Sequence, residues 1–200
     1  MAALDELRAD AATCRACPLY EKATQTVFGE GNARARLMFV GEQPGDREDL
    51  EGHPFVGPAG RILSQAMDAA GIERDRVYIT NAVKHFKWEP RGKRRLHKSP
   101  AQREIEACYQ WLQGEMDAIR PAVVVCLGAT AAKTLLGPRF RITQSRGQVQ
   151  AREGLPDVIA TYHPSFLLRL KDRPEGEQAY SDFVGDLRLA SRYMQDDSDR

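Results

Sequence analysis

Four short apolar runs constrain this chain more than any other feature: residues 37–40, 77–79, 123–127 and 158–161 are continuous rather than alternating in character. An unbroken apolar run of this length marks a strand covered on both faces. Helical patterns lie between the runs. Residues 60–70 carry Ile62, Leu63, Ala66, Met67 and Ala70 on one stripe. Ser99-Pro100 reads as N-cap and first position of a helix whose Ile105, Cys108, Leu112 and Met116 recur at helical spacing. Residues 129–136 and 180–194 complete the set. Strands alternating with helices predict a parallel sheet with helices on both faces. In such sheets the site lies just beyond the C-terminal strand ends. That rule points to residues 41–45, 80–97, 128–130 and 162–169.

Two hundred residues with 42% apolar and 28% charged side chains suit a folded globular chain, not a disordered one. One domain is expected over residues 1–195, since no linker divides them, with residues 196–200 as a frayed acidic tail. The longest apolar run, residues 122–129, is less than half a bilayer span, so no membrane-spanning helix is expected. Asp5-Glu6 stand where an export signal carries basic residues, and a cytoplasmic protein is expected. The 29 basic and 28 acidic residues give +1 overall, so any nucleic-acid contact must come from a local patch. A monomer is the default expectation.

Three of the four loops are unusual. Gly41-Glu42-Gln43-Pro44-Gly45-Asp46 is followed by residues 53–60, His-Pro-Phe-Val-Gly-Pro-Ala-Gly. Glycines after a buried strand let backbone N–H groups approach a ligand, although most such turns only reverse the chain. Tyr162-His163-Pro164-Ser165 places an imidazole and a hydroxyl at a strand end. The segment 84–98 holds seven Lys/Arg (Lys84, Lys87, Arg91, Lys93, Arg94, Arg95, Lys98), interleaved with Phe86 and Trp88 and a single acid, Glu89. Basic residues with aromatics at a ligand-bearing edge form a footprint for phosphate contact and base stacking.

Cys14-Arg15-Ala16-Cys17 is a CxxC, and Cys108 and Cys126 are the remaining thiols. Thiolates at that spacing suit zinc or an iron–sulfur cluster. Cys126 sits inside Val123-Val124-Val125-Cys126-Leu127, where a thiol packs as a small apolar group. This leaves three cysteine ligands and a missing fourth.

Gly41-Glu42-Gln43-Pro44-Gly45, Pro54-Phe55-Val56-Gly57, Thr80-Asn81-Ala82-Val83-Lys84, Leu127-Gly128-Ala129-Thr130-Ala131 and His163-Pro164-Ser165 occur in one order across nearly the whole chain. Together they resemble the iron–sulfur uracil-DNA glycosylases of family 4. Lys93-Arg94-Arg95-Leu96-His97 resembles the loop insertion of their UdgX subgroup. The resemblance implies a three-layer α/β/α sandwich with a four-stranded parallel sheet and a [4Fe–4S] cluster. Ordinary family members carry a cysteine where this chain has His85, so the implied ligands are Cys14, Cys17, Cys108 and His85. Four-cysteine ligation through Cys126 is the alternative.

The implied chemistry is cleavage of the bond between uracil and deoxyribose in DNA, with the target nucleotide out of the stack and a single-stranded substrate expected. Phe55 would stack on uracil, and the Asn81 amide would accept from N3–H and donate to O4. Backbone groups around Gln43 would help hold the base, and His163 would donate to O2 as charge develops. His97 would attack the sugar C1′ in place of water, with Glu42 settling its tautomer and taking its proton. Lys93 and Arg94 would touch phosphates or anchor the loop, and Arg95 is the choice for the anchor. Ser165 and the Gly128–Thr130 backbone would hold flanking phosphates, and Phe166 and Leu167 would wedge into the vacated space. The competing readings are hydrolytic excision with turnover and a non-catalytic iron–sulfur DNA-binding module.

Overall fold

The computed structural model describes residues 2–194; the 196–200 tail lies outside the described residues. The chain opens with α1 (Ala2–Ala12), then β1 (Glu30–Gly31), β2 (Leu37–Gly41), α2 (Asp46–Glu51), α3 (Pro58–Ala69) and β3 (Val77–Asn81). A hairpin of β4 (Trp88–Arg91) and β5 (Arg94–His97) precedes α4 (Gln102–Ile119), β6 (Val123–Leu127) and α5 (Ala129–Leu136). The chain closes with α6 (Ile142–Ser145), β7 (Val149–Gln150), β8 (Asp157–Thr161), α7 (Pro164–Leu170) and α8 (Gly176–Ser191).

The four apolar runs become β2, β3, β6 and β8, which pair in parallel in the order β3-β2-β6-β8. The sheet has six strands rather than the expected four, because β1 joins β3 and β7 joins β8, both antiparallel. Each of these edge strands is two residues long, too short for a periodic signal, and each covers an otherwise open sheet edge.

Alternation along each strand feeds two cores. Met38, Val40, Tyr78, Val124, Cys126, Val158 and Ala160 face α1, α4 and α5. Leu37, Phe39, Val77, Ile79, Val123, Val125 and Ile159 face α3, α7 and α8. The result is a three-layer α/β/α sandwich. No helix among the described residues is long and apolar enough to cross a membrane.

Two helix starts differ from expectation. α4 begins at Gln102, not at Pro100: Ala101 rather than Ser99 is the N-cap, and the Glu104 carboxylate reaches back to accept its N–H at 2.6 Å. α8 begins at Gly176 and ends at Ser191, whereas residues 180–194 were expected; its first turn is polar and carries no apolar stripe to read.

Candidate active site

The C-terminal ends of β2, β3, β6 and β8 open into a cavity of about 540 Å³. Glu42, Gln43, Phe55, Asn81, His97, Gly128, Thr130, His163 and Ser165 all line it, so tertiary structure gathers motifs spread over more than half the chain. Gly41 pairs with Asn81 in the sheet. A Cβ on Gly41 would stand 2.3 Å from Asn81 Oδ1 and 2.6 Å from Phe55 Cζ, so glycine is what lets these two side chains converge. Asn81 Oδ1 is buried without a hydrogen-bond partner, a free acceptor at the cavity wall. Orphaned buried acceptors are rare and mark a place where a ligand donor fits.

Phe55 is held in the left-handed backbone region at φ 57°, an uncommon state for a large side chain. Glu48 holds the loop on which it sits. Its carboxylate accepts from Gly57 N–H at 2.7 Å and from Gly45 N–H at 3.1 Å, joining the two glycine-rich segments.

His163 ends the turn after β8, with its ring 6.1 Å from that of Phe55. Its Nδ1 accepts from the Ser165 backbone N–H at 3.1 Å, and the Ser165 hydroxyl lies 2.8 Å from the same nitrogen. The proton of the neutral ring therefore sits on Nε2. Burial pushes this imidazole down to about 4, and the facing His97 and Arg169 press in the same direction. His163 is thus a neutral donor at physiological pH.

His97 ends β5 opposite Trp88 and stands at the cavity mouth, its Nε2 3.6 Å from Glu42 Oε1. The Thr130 hydroxyl donates to the other Glu42 oxygen. Only the backbone of Thr130 was expected at DNA phosphate; its side chain has a separate partner, Glu42, that the sequence did not announce. Ser165, expected in the same role, has its hydroxyl at His163. Gly128 has φ +93°, and a Cβ there would press within 3.0 Å of His163 Cβ.

The basic segment 84–98 divides into parts with different partners. Lys84 is buried and ion-pairs with Glu115 at 2.6 Å, so it is no surface contact. Lys87 pairs with Glu104 and Lys98 with Glu89. Arg95 donates to Asp46 Oδ1 at 2.5 Å, Asp49 Oδ2 at 2.6 Å and the Asp46 carbonyl at 3.1 Å, tying β5 to α2. Its guanidinium also lies over Phe86 and Trp88. The Gln43 side chain donates to the Lys98 carbonyl and accepts from Lys87 N–H, closing the base of the hairpin and leaving only its backbone for a bound base. Exposed at the hairpin tip are Arg91, Lys93 and Arg94, with no ion pair among the described residues. The wedge expected of Phe166 and Leu167 is not there: Leu167 is buried in the core, and Phe166 packs on Tyr162 at 5.1 Å.

Three thiols gather elsewhere. Cys17 and Cys108 pack around Leu19 and Val83, and Trp111 Nε1–H donates to Cys14 Sγ at 3.2 Å. The Lys84 backbone N–H donates to Cys108 Sγ, also at 3.2 Å. Burial raises the Cys108 thiol to about 11 and raises Cys17 as well. His85, expected as the fourth ligand, is turned to Thr26, with Nε2 3.0 Å from its hydroxyl. Burial lowers this imidazole, keeping it neutral. Among the described residues no group of three or more His, Cys, Asp or Glu stands close enough to hold a metal. Cys126 is fully buried in mid-sheet between Val40 and Ala160, away from the other thiols.

Glu48, Asp46, Asp49 and Arg169 were missed in the sequence. The acidic pattern at 46–51 reads as a solvated helix face, and only the burial of Glu48 and Asp49 reveals otherwise. Arg169 lines the cavity one and a half turns beyond His163, a spacing without a recognisable signal.

A family profile described as Uracil DNA glycosylase superfamily matches residues 28–188. The type-4 uracil-DNA glycosylase of Thermotoga maritima is 43% identical over 157 residues, 78% of each chain. That of Archaeoglobus fulgidus is 39% identical over 197 residues, 94% of each chain. That of Sulfurisphaera tokodaii is 39% identical over 176 residues, 84% of this chain and 77% of its own. With its cavity, its parallel sheet and these relatives taken together, the chain belongs to the uracil-DNA glycosylase superfamily.

Proposed function

We propose that this uracil-DNA glycosylase excises uracil and then captures the exposed sugar C1′ through His97, leaving the protein covalently joined to DNA. The observation that carries the reading is the pairing of His97 with Glu42 at the cavity mouth, on a hairpin that Arg95 ties to α2. Uracil enters between Phe55 and the Asn81 amide. The orphaned Oδ1 accepts from N3–H and the amide N–H donates to O4, a pattern that cytosine does not match. The C1′–N1 bond breaks with its electron pair leaving on uracil. His163 Nε2–H donates to O2 and stabilises that charge with a donor already in place. A lone pair of the His97 imidazole then bonds C1′, and the ring sheds its proton to Glu42. Thr130 holds the second Glu42 oxygen so that the first faces His97.

The exposed tip residues Arg91, Lys93 and Arg94 would follow the phosphate backbone. With Phe166 and Leu167 packed inward, no side chain at that turn fills a vacated stack, which favours a single-stranded substrate; the enzyme is taken to act as a monomer by default.

A [4Fe–4S] cluster is proposed at the thiol corner, held by Cys14, Cys17 and Cys108 with His85 as fourth donor. Soft sulfur donors suit iron, and two N–H groups already point at these sulfurs. Such a cluster would cross-link the 14–17 loop after α1, the 84–85 turn and α4. His85 must leave Thr26 to join it.

The test is a boiled denaturing gel of protein mixed with labelled uracil-containing single strands, with thymine strands as control. A heat-resistant, uracil-specific slow band that His97→Ser removes supports capture. The same band persisting in His97→Ser sinks the assignment. Free abasic strands from the unaltered protein, without a band, mean hydrolytic turnover with Glu42 orienting water.

A further inference from the structure

Two buried charges play no part in the chemistry described so far. Lys84 and Glu115 are both fully buried, with Nζ 2.6 Å from Oε2. Burying a charge pair yields little net stability, because desolvation offsets the attraction. Where the pair directs its remaining hydrogen bonds is therefore the informative feature. Lys84 Nζ donates to the Asn81 carbonyl at 2.7 Å and to the Thr80 hydroxyl at 2.6 Å. Glu115 accepts from the Thr80 hydroxyl at 3.0 Å, the Tyr78 hydroxyl at 3.1 Å and the Gly29 N–H at 2.9 Å. All these contacts except Gly29 fall on β3, the strand that ends in Asn81.

Beyond Asn81 the chain stays beside the end of β2 for two residues, as Ala82 and Val83 donate to the Gly41 and Glu42 carbonyls. The Asn81 carbonyl is left at the end of the strand, and a buried carbonyl needs a donor. Lys84 supplies it from three residues further on, while its own backbone N–H is held by Cys108 Sγ. Asn81 cannot rotate about its backbone without breaking this contact.

We propose that Lys84 and Glu115 are positioning residues that aim the Asn81 amide at uracil, and so determine how fast the bound base is excised. The inference rests on the uracil-excision reading. Neither residue lines the cavity, so both act through Asn81 alone.

The experiment is single-turnover excision at saturating uracil-containing single strands, with binding of the matching thymine strand measured in parallel. Three variants are compared: Glu115→Gln, the charge-free pair Lys84→Met with Glu115→Leu, and that pair combined with Asn81→Ala. The pair variant is expected to excise at least tenfold more slowly, with thymine-strand affinity unchanged. It is expected to add no further loss to Asn81→Ala, as residues acting through one group behave. Full excision by the pair variant overturns the inference, as does a loss that multiplies with that of Asn81→Ala. Equal loss of thymine-strand affinity overturns it too. Failure of both Glu115→Gln and the pair variant to fold at 25 °C would make the pair a stability element and overturns it as well. Absence of excision by the unaltered protein instead refutes the functional reading on which the inference stands.

Discussion

At the scale of single residues, the site works through groups whose protonation is set by their surroundings. Burial holds the folded His163 at about 4, against an ordinary value of 6.5. Between those values the unfolded chain binds a proton that the folded chain refuses. Stability therefore falls as pH drops from 6.5 toward 4 and levels off below, a loss of about 3 kcal/mol over the window. Thermal melts across that range should show the slope in the unaltered protein and a flatter one in His163→Gln. Thr130 offers a second test. Replacing it with Val frees one Glu42 oxygen to rotate and should slow adduct formation about tenfold, a cost usual for lost orientation, while Ser restores the rate. Adduct time courses on denaturing gels separate the two.

At the scale of elements, what matters is how β2, β3 and the hairpin are brought to one place. Gly41→Ala places a Cβ against Asn81 Oδ1 and Phe55 Cζ, so both side chains must shift from the positions proposed to receive the base. Excision should drop at least about a hundredfold, the scale of a misplaced binding group, while circular dichroism stays that of a folded chain. Arg95→Ala releases β5 from Asp46 and Asp49 without touching Asn81, Phe55 or His163. Uracil release should persist while the covalent adduct falls at least about tenfold, because only His97 loses its position. Equal losses of both would place Arg95 in excision itself. Separate quantification of free uracil and of the slow band decides the matter.

At the scale of the whole molecule, the thiol corner stands apart from the cavity but is linked to it by Lys84, whose backbone N–H donates to Cys108 and whose Nζ donates to the Asn81 carbonyl. Iron analysis of Cys108→Ser should find the metal lost, and Cys126→Ala should keep its full complement, since Cys126 packs as an apolar group in mid-sheet. Loss of iron from Cys126→Ala would restore the four-cysteine set. The two cores explain why the site tolerates so many polar groups: they stand at strand ends, on a frame whose burial is complete beneath them.

The local pattern of the chain determined the four parallel strands, the strand-end loops and the order of the motifs. An apolar run reads as a covered strand wherever its neighbours lie, and a loop after such a strand falls at the site edge by topology. Lys84 and Thr130 were ambiguous in the same text: each reads as one more polar or basic residue near a DNA-binding edge, yet their partners Glu115 and Glu42 lie 31 and 88 positions away. Arg95 reads as the loop anchor, but nothing in the text marks its partner Asp46, 49 positions away. Periodicity reports which way a side chain points along its own element and is silent about what the opposite element carries. Which lysine is buried, which threonine holds a carboxylate and which acids receive Arg95 were decided only when the sheet brought those strand ends together.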